Sequence, residues 1–98
     1  SLEQMPRILI LRMRFMPYLD ASGESSIEDI IKICREHKTY VIFSAVRPQP
    51  RAILQKAGIH KNLDGAIAAD FEHALDMAKQ LLADPEFMNK HVDPTLAK

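Results

Sequence analysis

Tryptophan is absent from this 98-residue chain, and cysteine is nearly so, with Cys34 the one thiol. A lone cysteine excludes an intramolecular disulfide, so a reducing compartment is the economical expectation. Cys34 falls among aliphatics on a helical pattern, which favours a buried thiol over a reactive one. Net charge is lacking as well, because 13 basic side chains balance 13 acidic ones. No global field would gather nucleic acid or an anionic membrane, so any binding must be local. Long apolar runs are also missing: the longest uncharged stretch, Thr39 to Val46, has eight residues, where a membrane-spanning helix needs about 20. No basic-then-apolar leader opens the chain. It reads as soluble, without direct membrane insertion. The three glycines are isolated from one another, so no glycine-rich phosphate loop is present.

What is present fits one small domain. The chain is 47% hydrophobic, enough to close a single core at this length. Arg7 to Met13 carries four consecutive aliphatics between arginines, the pattern of a short strand buried on both faces. Pro17 then ends regular pairing and aims the chain at Asp20-Ala21-Ser22-Gly23-Glu24. Asp20 is suited to cap a helix, and Gly23 allows a tight turn or a close approach. Ile27, Ile30, Ile31 and Cys34 follow at helical spacing, and Ser26 with Asp29 offers a second start for the same helix.

Thr39 to Ala45, β-branched and aromatic, reads as the second strand. Pro48 and Pro50 fix the next turn, a short helix runs through Ile53, Leu54 and Ala57, and Gly58 is placed as its left-handed cap. Residues 61–64 read as loop and Gly65 to Ala68 as a weak third strand. Asp70 caps a third helix built on Phe71, Ala74, Leu75, Ala78, Leu81 and Leu82. The expected domain spans residues 3–84, and low apolar density beyond Asp84-Pro85 predicts a loosely held or disordered tail over 85–98.

The order β-α-β-α-β-α implies an α/β fold, with a small parallel sheet joined by right-handed crossovers. So small a sheet leaves an outer strand with an open apolar edge that another strand or another chain must cover. The abrupt start of the pattern at Pro6 raises the expectation of an excised domain.

From about Arg7 to Leu82 the chain resembles the STAS domain, found as the cytosolic tail of sulfate permease (SulP) anion transporters and as free-standing anti-sigma-factor antagonists. The resemblance rests on an Ile/Leu strand, Met16-Pro17-Tyr18-Leu19-Asp20-Ala21-Ser22-Gly23, an amphipathic helix, a strand ending in Val46-Arg47-Pro48-Gln49, Leu54 with Gly58-Ile59, and Ala74-Leu75 on the last helix. Asp-Ala-Ser-Gly together with Val-Arg-Pro-Gln is more similar to the transporter branch. STAS domains usually carry further strands ahead of the position of Arg7, and these are missing here.

The resemblance implies a non-catalytic regulatory and protein-interaction domain on the cytoplasmic side of an inner or plasma membrane. Its partners would be the membrane domain of a parent transporter, a second protomer or a cytosolic protein, with a nucleotide as a further candidate. In the antagonist branch a serine of this turn is phosphorylated, and Ser22 is the matching position. A stand-alone antagonist switched at Ser22 is therefore the alternative. Phosphate there would sit at a helix N-terminus, but plain capping by Asp20 and Ser22 is the stronger reading for a transporter-type sequence.

Other constellations are weaker. His37, His60, His73 and His91 are too scattered for a metal set, Glu28 and Asp29 point apart on a helix, and no nucleophile stands beside a base. No cofactor is implied. Arg47 and Arg51 flank the proline-fixed turn at the carboxyl end of a strand, where open α/β sheets usually bind ligands. If the first two strands are neighbours, these arginines share a rim with Asp20, Ser22, Gly23 and Glu24, and an anion or acidic partner could bridge the two turns. Arg7, Arg12 and Arg14 lack aromatic interleaving, which argues against a nucleic-acid surface.

Overall fold

A computed structural model of the chain describes residues 5–60 and 62–87. Strand β1 (Ile8–Arg12) leads into helix α1 (Ala21–Glu36), strand β2 (Tyr40–Ser44), helix α2 (Pro48–Ala57), strand β3 (Ile67–Ala68), helix α3 (Phe71–Leu82) and a single turn, α4 (Pro85–Phe87). The sheet is parallel throughout, in the order β1-β2-β3. Ile10 lies beside Ile42 and Phe43 beside Ile67, so β2 is the central strand.

Alternation along each strand divides the core in two. Val41 and Phe43 face a cluster with Ile27, Ile31 and Cys34 of α1 and Leu54 of α2. Ile42 faces Ala74 and Ala78 of α3 on the opposite side. Helices thus cover both faces of the sheet. Ile42, Phe43 and Leu54 are fully enclosed, and removing side chains of this size from water contributes about 1.5–3 kcal/mol each. The small Ala74 and Ala78 let α3 approach the sheet closely.

Helix starts and stops follow the residue chemistry. Asp20 accepts the Gly23 amide at 2.7 Å and Asp70 the His73 amide at 2.8 Å, filling donors that a helix leaves free at its beginning. The Asp20 start prevails over Ser26, whose hydroxyl instead bonds back to the Ser22 carbonyl. Gly58 closes α2 in the left-handed region at φ 63°.

Two expectations need correction. The first strand is half-buried rather than enclosed on both sides, because among the described residues it is paired on one side alone, with β2. Gly65 and Ala66 belong to a 3-10 turn over Asp64–Ala66, which shortens the third strand to Ile67–Ala68. Asn62 Oδ1 accepting the Gly65 amide, and Leu63 O accepting the Ala66 amide, hold that turn. Of the residues assigned to the tail, Pro85 and Glu86 are exposed, the Asp84 carboxylate accepts the Glu86 amide, and Phe87 is buried edge-on to Tyr40 at 5.0 Å. Positions 88–98 lie outside the described residues.

Candidate functional site

All three long helices begin at the carboxyl ends of the strands, which gathers their first turns along one rim of the sheet. Pairing of β1 with β2 places the 13–20 loop beside the 45–47 turn. Met13 donates its amide to Ser44 O at 2.9 Å, and Ala45 donates to Ala68 O at 2.9 Å, so the ladder continues to the rim itself.

The joint between these loops is Gln49. Its Oε1 accepts the Leu19 amide at 2.7 Å, and its Nε2 donates to the Leu19 carbonyl at 3.1 Å. One primary amide thus satisfies both backbone groups of a residue 30 positions away. Leu19 itself is buried in the α1 and α2 core. Held on both sides, it fixes where α1 begins and leaves the residues before it outside. Phe15 is 87% exposed and Tyr18 68% exposed, with Met16 beside them.

Asp20, Ala21 and Ser22 are exposed on the first turn of α1, and Gly23 and Glu24 are half-buried. The Asp20 carboxylate is engaged by the Gly23 amide. Gly23 lies within the helix, so its value is close approach rather than a turn: a Cβ there would come within 2.8 Å of Leu19 Cδ1. Arg47 is exposed and occupies the cap position of α2 with no side-chain capping bond. Arg51 points elsewhere and pairs with Asp64 at 2.6 Å. Both members of that pair are well exposed, which limits it to at most about 1 kcal/mol. Of the two arginines, Arg47 therefore shares the rim with Asp20 and Ser22, while Arg51 braces α2 against the 62–64 loop.

A side-chain pair stands at the start of the third helix. Asp70 Oδ1 takes both the His73 amide and the His73 ring nitrogen, the latter at 2.7 Å. The carboxylate hydrogen-bonds and raises the imidazole above its ordinary value, and these bonds hold Asp70 below its own. Nearby, Arg12 of β1 stacks on the Phe71 ring at 4.3 Å. Away from the rim, burial pushes the Cys34 thiol up, which keeps it in its inert protonated form.

Gln49 is the member of this site that sequence reasoning did not single out. A glutamine in the first turn of a helix is ordinarily a solvated residue, and only its place after Val46-Arg47-Pro48 set it apart.

Comparison with known proteins agrees with this architecture. Residues 1–74 match the family described as STAS domain. No curated protein sequence matches the chain. A solved structure, described as a sulfate transporter family protein from Wolinella succinogenes, superposes with a TM-score of 0.74 and 28% identity, over 84% of this chain and 68% of that one. With a parallel α/β sheet, two aspartate-capped helices on its rim and a family match over most of its length, the chain belongs to the STAS domain family.

Proposed function

We propose that this STAS domain is the cytoplasmic regulatory and interaction domain of a SulP-type anion transporter, acting through the strand-end rim and carrying no catalysis of its own. The observation that supports this most is the double hydrogen bond of Gln49 to Leu19, which makes the two rim loops one rigid surface. Such a surface presents Phe15 and Tyr18 as apolar anchors, with Asp20, Ser22 and Arg47 as polar contacts around them. Exposed aromatics on a fixed backbone bind a protein partner with little loss of side-chain freedom. The transporter's membrane domain is the partner this reading names, and the transporter-family description of the similar solved structure supports it.

The test is anion uptake into proteoliposomes by the full-length transporter carrying Phe15→Ala and Tyr18→Ala together. Uptake should change several-fold while thermal unfolding of the isolated domain stays the same, because both side chains are exposed. Unaltered uptake would remove the rim from the mechanism.

One observation favours the antagonist alternative: Ser22 is exposed on the first turn of α1, and its backbone carbonyl, not its hydroxyl, is what Ser26 engages. Incubation with an anti-sigma kinase and ATP separates the two readings. Stoichiometric phosphate on Ser22 would replace the transporter role with a phosphorylation switch.

A further inference from the structure

The groove between α1 and α2 is a second surface, at the opposite end of the sheet from the rim. Both helices run back from the strand ends, so Arg35 in the last turn of α1 lies beside the Gly58 cap of α2. Ile31, Lys32 and Arg35 line one wall and Gly58 and Ile59 the other, around a cleft of about 220 Å³. Ile31 and Ile59 are buried and give it an apolar floor. A Cβ on Gly58 would meet nothing within 4 Å, so that wall is open backbone.

Two cations stand over this cleft without a counter-charge. Neither Lys32 nor Arg35 forms an ion pair among the described residues, although Glu28 and Glu36 lie four residues to either side of Lys32 on the same helix. Arg35 Nη2 donates to the Ile59 carbonyl at 3.4 Å. That one long bond ties the guanidinium across the groove. Its other N–H groups stay available, in the planar fork that matches two oxygens of a tetrahedral anion. The carbonyls at these helix ends, which would repel an anion, are engaged by amides. Cys34 O accepts the Thr39 amide at 2.7 Å, Arg35 O the Lys38 amide at 3.3 Å, and Gln55 O the Gly58 amide at 3.2 Å. The Arg35 charge also reaches beyond Ile59: after burial, it is the second cause that holds His60 below its ordinary value.

We infer that this groove binds a phosphate group, with the Arg35 fork on two of its oxygens and the Lys32 ammonium on a third. Side chains one turn apart on a helix are neighbours, so both cations reach one small anion. A phosphate group carries about two negative charges at neutral pH and compensates both, where a single carboxylate would compensate one. Glu28, at the far end of the groove, repels a second phosphate and limits the ligand to one. The group arrives free in solution or as a lipid headgroup, and both present the same oxygens. The rim takes no part in this binding.

Amide and imidazole NMR of the 98-residue chain tests this, with inorganic phosphate titrated against chloride at equal ionic strength. The expected result is a saturable shift of the Lys32, Arg35, Gly58 and Ile59 amides. The His60 titration midpoint should rise with it, because the bound anion offsets the Arg35 charge. Arg35→Gln should weaken phosphate binding by about tenfold or more, the loss expected for a charge-assisted hydrogen bond, and abolish the rise at His60. Lys79→Gln, at an exposed position of α3, should change neither. Vesicles of phosphatidylcholine with phosphatidic acid identify the source. Retention that Arg35→Gln removes assigns the phosphate to a lipid headgroup, and saturation by inorganic phosphate without retention assigns it to a soluble ligand. Absence of a saturable shift, shifts that chloride reproduces, or a response that survives Lys32→Gln and Arg35→Gln together overturns the inference.

Discussion

Gln49 shows how much one side chain can decide. Its amide meets both polar groups of Leu19, whose side chain is 3% exposed, so Gln49→Ala leaves an N–H and a C=O without their partner beside the core. The cost should be about 1–3 kcal/mol. Urea denaturation would read that loss, and faster exchange of the Leu19 amide would place it at the rim. Histidines set the pH response, and two of them act in opposite directions. His73 is raised from 6.5 by its bond to Asp70. Its contribution is full below 6.5 and is lost as pH rises through the higher folded value. Asp70 is lowered from 3.8, so its contribution is present above 3.8 and is lost as pH falls through the folded value. Both groups are exposed, and solvent screening keeps the effect small. His60 is lowered from 6.5, first by burial and then by Arg35, so the unfolded chain binds its proton more readily. Stability through His60 therefore falls as pH drops below 6.5, down to the folded value. Chemical denaturation between pH 5 and pH 8, at about unit steps, should show a steeper loss toward acid in His73→Gln and a shallower one in His60→Gln.

At the level of elements, helix boundaries were legible wherever a residue type carries its own conformational chemistry. Asp20, Asp70 and Gly58 act locally, and each holds the place that its side chain or lack of one predicts. Residue type did not reveal the left-handed backbone of Ala45, at φ 54° just past β2. Ala45 holds it while donating its amide to Ala68 O at the end of the sheet. Gly58 and Ala45 thus make a matched pair with opposite outcomes. Gly58→Ala should cost about 1 kcal/mol, since a Cβ is strained at that φ although space around it is open. Ala45→Gly should be neutral or stabilising by up to about 1 kcal/mol, because relief of the same strain outweighs the greater freedom of glycine in the unfolded chain. Thermal unfolding of the two variants checks both signs. The third strand was overestimated for a related reason. Gly65 and Ala66 look compatible with a strand, but the Asn62 side chain captures the Gly65 amide and curls the backbone into a turn.

For the molecule as a whole, Phe87 joins the end of the described chain to the central strand. Edge-on contact with Tyr40, which also meets His60 at 5.4 Å, ties β2, the turn after α2 and α4 into one aromatic cluster. Phe87→Ala should destabilise the domain by about 3 kcal/mol, the usual loss for a large core side chain. Calorimetry would detect this as a lower midpoint of one cooperative transition. A local fraying of α4, with the midpoint unchanged, would mean that the cluster does not carry load.

The sequence by itself determined the order of elements, the two aspartate caps, the glycine stop and the likeness to STAS domains, because each depends on residues close together along the chain. Tertiary structure alone decided that β2 lies between β1 and β3 among the described residues, that Gln49 locks Leu19 and that Arg51 turns to Asp64. Those outcomes depend on which backbones lie side by side after folding, and contacts between residues 13 or 30 positions apart leave no periodic trace in a sequence.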